Sequence, residues 1–306
     1  MAKDIKANIY KYASPNNIEH LFNAEGNVSL KFSLPSDFND LFELFLTIDF
    51  NRDPDDLAYY LDLIGDNLSF PTTCFSISPV VVPMWAHYSM NHQGFVIEFS
   101  ENKMREVFPN SHFRNVRYSD VPVHDLSDLL TRARVVMKYR YNACLWDAIY
   151  SSAYFTKTTC WTYEQERRMV VNRDEVQKKG DLMLLSIPSK AVNSIMCGAR
   201  ATADTVNKIR QIADDIGCRY LELSIGKSSA TPFLVDARGD PFTFDQGEII
   251  AADYECEECR EPTAEGVQRC SWCCIDDDAR ERAAQSNSFR LLDHLGLLES
   301  YIRNRP

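Results

Sequence analysis

Residues 194–225, SIMCGARATADTVNKIRQIADDIGCRYLELSI, decide the fold class. Residues 194–197 and 220–225 are short, β-prone apolar runs, which predict two strands. Residues 202–216 between them predict a helix, because Thr202 or Asp204 can cap it and apolar residues recur every three or four positions. Those apolar residues are Val206, Ile209, Ile212 and Ile216. The segment therefore predicts strand, helix and strand in close succession.

The same pattern continues on the N-terminal side of this segment. Short apolar runs bounded by turn residues predict strands at 8–12, 28–34, 73–78, 94–99, 163–172 and 182–187. Helical turns or helices are predicted at 18–22, 55–64, 83–90 and 126–154. This alternation predicts an α+β domain, a mixed sheet of short strands with helices, over residues 1–225. Residues 226–250, rich in Ser, Thr, Gly, Pro and Asp, predict a linker or irregular arm, and residues 251–306 form a tail.

The composition argues against several classes of protein. The 306-residue chain has a net charge of −11, so it lacks the positive charge that drives non-specific nucleic-acid binding. No apolar run approaches the ~18 residues of a membrane-spanning helix. The first residues lack the apolar stretch of a secretory signal. We therefore expect a cytoplasmic protein that does not enter a membrane and that meets nucleic acid, as a target, only through a local basic patch.

The tail contains two closely spaced pairs of cysteines. Cys256 and Cys259 form one C-x-x-C turn, and Cys270 and Cys273 form a second one ten residues later. Two such turns supply the tetrahedral set of four thiolates that a structural zinc ion prefers. Coincidence and a redox dithiol are the alternatives, and the pairing of two turns disfavours both. Cys274 is a fifth thiol that could compete for the fourth position.

The composition of the rest of the tail predicts contact with protein or a structural role. It has more acidic than basic residues and no lysine, unlike zinc ribbons that bind nucleic acid. Residues 289–302 predict one helix with an apolar side. That side either packs on the main domain, the simpler interpretation, or meets a partner protein. It consists of Leu291, Leu292, Leu295, Leu298 and Tyr301.

A group of charged residues in 161–168, WTYEQERR, stands out in the main domain. On a strand, the spacing of two between Glu164, Glu166 and Arg168 places all three side chains on one face. Two carboxylates so close together raise a pKa unless a cation or a ligand compensates them, which suits a site. On spacing alone, an exposed face with Arg168 simply pairing Glu166 is the better explanation.

Four motifs occur in a recognisable order. They are YKY at 10–12, FNDLFE at 38–43, MWAHY at 84–88 followed by NHQG at 91–94, and WTYEQERR at 161–168. In this order, over about residues 8–225, they resemble a widespread bacterial and phage family known as domain of unknown function 2971. Members of that family are distantly similar to ADP-ribosyltransferases. The resemblance implies a role as a toxin or phage-defence effector that uses NAD as co-substrate.

The resemblance also implies roles for individual residues. Glu166 would be the catalytic carboxylate, and Glu164 would orient or deprotonate the acceptor. Lys11, Lys157 and Arg168 would bind the pyrophosphate of NAD. Further candidate cofactor-binding residues are Tyr10, His87 and Tyr88. Tyr10 could equally be a core aromatic residue and His87 a core histidine.

Two other functions remain open. The pocket formed by these candidate residues could instead bind a nucleotide without catalysis, in a sensor or an adaptor of a defence complex. A metal-dependent nuclease using Asp40, Glu43 and Glu164 is a third possibility, which the missing basic surface disfavours.

Overall fold

In the computed structural model of the chain, helices lie on both faces of a large mixed sheet. The structure describes residues 8–22, 26–38, 40, 48–64, 70–122 and 124–304. Within this part of the chain, no helix is long and apolar enough to cross a membrane.

Fifteen strands are present in the described residues. They are β1 Asn8–Ala13, β2 Asn27–Phe32, β3 Thr72–Ser76, β4 Phe95–Ser100, β5 His112–Asn115, β6 Arg117–Tyr118, β7 Thr156–Lys157, β8 Glu166–Val170, β9 Gln177–Lys179, β10 Leu182–Pro188, β11 Val192–Cys197, β12 Arg219–Ser224, β13 Phe233–Asp236, β14 Pro241–Asp245 and β15 Glu248–Ala251.

Ten α-helices are described. They are α1 Ile18–Leu21, α2 Pro54–Ile64, α3 Val82–Tyr88, α4 Glu101–Val107, α5 His124–Val136, α6 Tyr139–Phe155, α7 Ala203–Ile216, α8 Asp277–Ser286, α9 Ser288–His294 and α10 Leu298–Arg303.

The main sheet has ten strands in the order β15-β14-β13-β12-β11-β4-β1-β3-β8-β5. Its pairs are antiparallel except for β11 and β12, which are parallel and are connected by α7. A three-stranded sheet, β2-β10-β9, and a parallel pair, β6-β7, complete the strands. β1 pairs with β4 along its whole length. It pairs with β3 at one position, where Tyr10 lies opposite Ser76.

The two faces of the main sheet are covered differently. On one face, apolar side chains such as Phe75 and Ile97 pack with α7 and the three-stranded sheet. On the other face, Val170 packs with α2, α5 and α6, and Tyr12 packs with Trp85 of α3. We call this second face the α6 face.

The segment 194–225 folds as predicted, and the structure belongs to the predicted α+β class. β11, α7 and β12 occupy it, and the Thr202 hydroxyl accepts a hydrogen bond from the Thr205 N–H at the start of α7. Gly217, with φ of 70°, ends the helix in the left-handed conformation that favours glycine.

The prediction of a linker at 226–250 is wrong. Three strands, β13 to β15, lie in or overlap this segment and extend the main sheet. The glycines that suggested a linker form tight turns: Gly239 has φ of 89°, and Gln246 and Gly247 have φ of 46° and 87° between β14 and β15. Phe233 and Leu234 are buried and pair with β12.

Two predicted long helices are each broken in the structure. The helix at 126–154 becomes α5 and α6, separated at Met137, which has φ of 52°. The tail helix at 289–302 becomes α9 and α10, separated at Gly296 with φ of 67°. Leu291 and Leu295 are 61% and 58% exposed, so the expected packing of this side on the main domain is wrong. Contact with a partner protein stays a prediction.

Candidate active site and candidate metal centre

The predicted strand at 163–172 is shorter in the structure. Residues Thr159–Glu164 form a 3-10 helix, and β8 begins at Glu166. Between them, Gln165 has the left-handed conformation, with φ 46° and ψ 51°. Glu164 is therefore not on the strand, and the prediction that it shares one strand face with Glu166 and Arg168 is wrong.

Glu164 and Glu166 nevertheless meet at one lysine. Lys157 Nζ donates to Glu164 Oε2 at 2.7 Å and to Glu166 Oε2 at 3.4 Å. Arg168 Nε donates to Glu166 Oε1 at 2.7 Å, and the Tyr88 hydroxyl of α3 donates to Glu164. We call these five residues the acid cluster.

The charged members of the acid cluster are removed from solvent. Lys157, Glu164, Glu166 and Arg168 are 8%, 3%, 4% and 1% exposed. Each buried charge has an opposite partner, as the cost of desolvation requires. The cluster lies on the α6 face, because Arg168 Nη1 also donates to the carbonyl oxygen of Tyr154 on α6 at 2.9 Å.

The surroundings separate the pKa values of the two carboxyl groups. Burial would raise the pKa of Glu166, but Arg168 and Lys157 outweigh it and hold the pKa at about 2. Burial raises the pKa of Glu164, and the charge of Glu166 adds to this while Lys157 opposes it. One carboxylate therefore stays ionised, and its neighbour holds a proton more tightly than an exposed glutamate. Such separation is typical of acid–base pairs in active sites.

Two further residues support Glu166 and were not singled out from the sequence. The Cys74 thiol on β3 hydrogen-bonds the Glu166 carboxylate, and burial, followed by the Glu166 charge, raises the pKa of that thiol. The Glu166 N–H donates to the Tyr118 hydroxyl at 2.8 Å. Their positions follow from strand pairing between distant segments, so no local sequence signal could have indicated them.

A row of aromatic rings lies beside the acid cluster. Lys157 Nζ is 4.5 Å from the centre of the half-buried Trp161 ring. The Trp161 and Tyr163 rings are 6.1 Å apart, and Tyr163 is 5.9 Å from the exposed His87 ring. His87 is therefore not a core histidine. It lies at the end of this row rather than among the charges.

Two candidates from the first strand lie outside the acid cluster. Lys11 Nζ donates to Thr73 Oγ1 at 2.9 Å and to the Cys74 carbonyl at 2.8 Å. Since Lys11 alternates with Tyr10, and Thr73 with Cys74, Lys11 extends on the face opposite the α6 face. Burial lowers the Lys11 pKa. Tyr10 is fully buried, with its hydroxyl 3.4 Å from Glu98.

Two residues of the motif at 38–43, Phe38 and Asp40, belong to the described part of the chain. Asn39 and residues 41–47, which include Leu41, Phe42 and Glu43, lie outside the described residues. The Phe38 ring centre is 5.1 Å from the Arg168 guanidinium, and Asp40 is buried.

The four tail cysteines converge as their spacing predicts. The sulfur atoms of Cys256, Cys259, Cys270 and Cys273 all lie within 4.8 Å of one another, the one group among the described residues that could hold a metal ion. Backbone N–H groups of Cys259 and Cys270 lower the pKa of the Cys256 thiol to about 6, which favours the thiolate. Cys274 is outside the group and hydrogen-bonds the Arg269 carbonyl at 3.7 Å.

A buried glutamate joins this candidate metal centre to the sheet. Glu261, 4% exposed, accepts hydrogen bonds from the N–H groups of Lys227 and Ser228 at 3.0 and 2.8 Å. Trp272 Nε1 donates to the Lys227 carbonyl at 3.0 Å. A Cβ atom at Gly226 would lie 2.1 Å from Glu261 Oε1, so a larger residue there would displace the Glu261 carboxylate.

Comparison with protein families gives one match. The sequence model of a family described as protein of unknown function (DUF2971) matches residues 84–169. The resemblance to this family is confirmed. The DUF2971 match is shorter than the expected 8–225, yet it spans every member of the acid cluster, from Tyr88 to Arg168. It leaves out Lys11 and the tail cysteines. No curated protein and no solved structure matches the chain, so the similarity to ADP-ribosyltransferases stays a prediction.

Proposed function

We propose that the chain is an enzyme that cleaves the bond between nicotinamide and ribose in NAD and transfers ADP-ribose to an acceptor. The observation that carries the proposal is the buried pair Glu164 and Glu166, which share Lys157 and have opposite pKa shifts. Breaking this bond passes through an oxocarbenium-like state, which a fixed carboxylate stabilises.

Glu166 has the properties of that carboxylate. Its pKa of about 2 keeps it ionised at every physiological pH. The bond from ribose C1′ to nicotinamide nitrogen breaks, and its electron pair leaves with the nitrogen as neutral nicotinamide. Positive charge then develops on the ribose opposite the Glu166 anion.

Glu164 has the properties of a proton carrier. The acceptor nucleophile bonds to C1′ and loses its proton, which the Glu164 carboxylate takes. A raised pKa suits this step, since a base whose pKa approaches the working pH transfers protons efficiently. The Tyr88 hydroxyl hydrogen-bonds Glu164 and fixes its orientation.

The aromatic row supports a nucleotide substrate. Trp161 and Tyr163 are half-buried and offer ring surface next to Lys157. Planar rings of a substrate stack on such side chains, while the lysine offers charge to its phosphates.

We also propose that the four tail thiols hold one zinc ion. Four cysteines without an open position fit a structural site, and the ion would supply rigidity rather than chemistry.

The test of the transferase is nicotinamide release from NAD by the whole chain, with and without a cell extract as source of acceptor. We expect release by the wild type, and a loss of about 100-fold or more in Glu166→Gln. Glu164→Gln should lower transfer to the acceptor.

Glu101→Gln is the matched control for this experiment. Glu101 is equally buried and paired with Arg167 and Arg105, but it begins α4 away from the acid cluster. It should cost stability without abolishing release. Equal losses in Glu101→Gln and Glu166→Gln would contradict the catalytic role.

A nucleotide-binding module is the second candidate. One observation favours it: both carboxylates of the acid cluster already have cationic partners and less than 5% exposure. Saturable NAD binding without nicotinamide release would decide for it. The nuclease lacks such support, because Asp40 and Glu164 belong to no metal-holding group among the described residues and Glu43 lies outside them.

A further inference from the structure

A cavity lies at the far end of β8, beyond the acid cluster. Its volume of about 700 Å³ is within the range of small-molecule sites. Residues of edge strand β5, the end of β8, Phe70 and helix α6 line it, and one side is open to solvent. Its lining includes no member of the acid cluster and none of the four tail cysteines.

One wall of the cavity is aromatic. The rings of Trp146 and Tyr150, one turn apart on α6, are parallel within 5° with centres 5.7 Å apart. Phe70 meets both rings edge-on, at 6.4 and 5.7 Å. Phe70 and Trp146 are only half-buried, so ring surface stays available to a ligand.

An adjoining wall carries cationic and polar groups from the edge strand. His112 and Arg114 alternate on β5, and both extend toward α6. His112 Nδ1 lies 3.0 Å from the Tyr150 hydroxyl, and Arg114 Nη1 donates to Ser151 Oγ at 2.9 Å.

Arg114 is an exposed cation whose guanidinium lies 5.2 Å from the centre of the Phe155 ring. It registers directly opposite Arg168 on β8, and like charges at opposite positions destabilise a sheet. Arg168 is neutralised by Glu166, but Arg114 pairs with no carboxylate among the described residues. Asp147 also lines the cavity and makes no ion pair with Arg114. An anion bound at Arg114 would supply a negative partner for this guanidinium.

We propose that this cavity binds a mononucleotide, with its base against the aromatic wall and its phosphate on Arg114. The aromatic wall matches a planar heterocycle, and the exposed Arg114 guanidinium, which has no carboxylate partner among the described residues, can hold a phosphate through two N–H groups. The site is distinct from the acid cluster and does not depend on NAD cleavage.

The test is calorimetric titration of the whole chain with adenosine 5′-monophosphate and, separately, with adenosine. We expect one nucleotide per chain. Arg114→Gln should weaken nucleotide binding about tenfold or more and leave adenosine binding unchanged, since the arginine contacts only the phosphate. Trp146→Leu should weaken both ligands.

Arg290→Gln, in the exposed tail, is the control for lost charge and should bind like the wild type. Thermal unfolding of each variant establishes that it is folded. The proposal is overturned if the wild type shows no saturable binding at about 1 mM nucleotide. It is also overturned if Arg114→Gln binds like the wild type, or if Glu166→Gln alone abolishes binding, which would assign the nucleotide to the acid cluster.

Discussion

Lys157 is the residue on which both carboxylates of the acid cluster depend. Replacing it with methionine leaves Glu164 and Glu166 buried side by side, with Arg168 as the remaining cation in contact with Glu166. We expect Lys157→Met to lower the free energy of unfolding by about 3 kcal/mol at pH 8, since breaking a buried pair costs about 3–5 kcal/mol. Urea denaturation measures this loss.

The stability of the same variant should decrease as the pH rises. Without Lys157, the pKa of Glu164 rises further, so the folded chain holds a proton that the unfolded chain releases above pH 4.5. Stability of Lys157→Met should therefore fall as pH rises, and the loss should be smaller at pH 5 than at pH 8. Lys208→Met removes an exposed pair with Asp204 and should leave the stability nearly unchanged at both pH values. Identical losses in the two variants would contradict burial as the cause.

Among the elements, the junction between the 3-10 helix and β8 matters most for the acid cluster. Gln165 has φ of 46°, where a side chain costs about 1–2 kcal/mol. Gln165→Gly should stay within about 1 kcal/mol of the wild type, because relieved strain offsets greater freedom of the unfolded chain. Gln165→Val should destabilise the protein clearly, since β-branched residues are least compatible with this conformation. Unfolding free energies measure both variants.

Gln177→Val is the matched control for this junction. Gln177 is exposed on the edge strand β9, where valine suits the extended backbone. It should leave stability nearly unchanged. If Gln177→Val destabilised as much as Gln165→Val, surface hydrophobicity rather than backbone conformation would explain the effect.

At the scale of the whole molecule, local sequence signals predicted the elements but not how they assemble. Apolar periodicity and the Thr202 cap located β11, α7 and β12, because these signals act within a few residues. The linker at 226–250 was mispredicted because glycines in tight hairpin turns and glycines in linkers look alike in composition. The order of the ten strands depends on pairings between distant segments, which one sequence does not reveal.

The candidate sites divide in the same way. The cysteine group was predictable, since each C-x-x-C turn places its own two thiols. The WTYEQERR motif indicated Glu164, Glu166 and Arg168, but the strand argument for their common face was wrong for Glu164. Lys157 lies only a few residues before this motif in the sequence, whereas Cys74 and Tyr118 come close to Glu166 through sheet pairing. Spacing therefore places Glu166 beside Arg168 on β8, whereas the tertiary fold brings the other groups to them.

Removing the metal from the tail should separate the tail from the sheet without unfolding the sheet. Beyond β15, the buried residues in the described part of the chain are Cys256, Cys270 and Glu261, so a metal ion held by the cysteine group would provide most of the stability of this segment. We expect one zinc per chain in the wild type and none in Cys256→Ser/Cys259→Ser, measured by metal analysis. Hydrogen exchange should accelerate in residues 253–276 and stay unchanged in β1, β4 and β8. Cys274→Ser should keep its zinc, because this thiol lies outside the group of four. Loss of zinc from Cys274→Ser, or retention of zinc by the double variant, would contradict the assigned ligands.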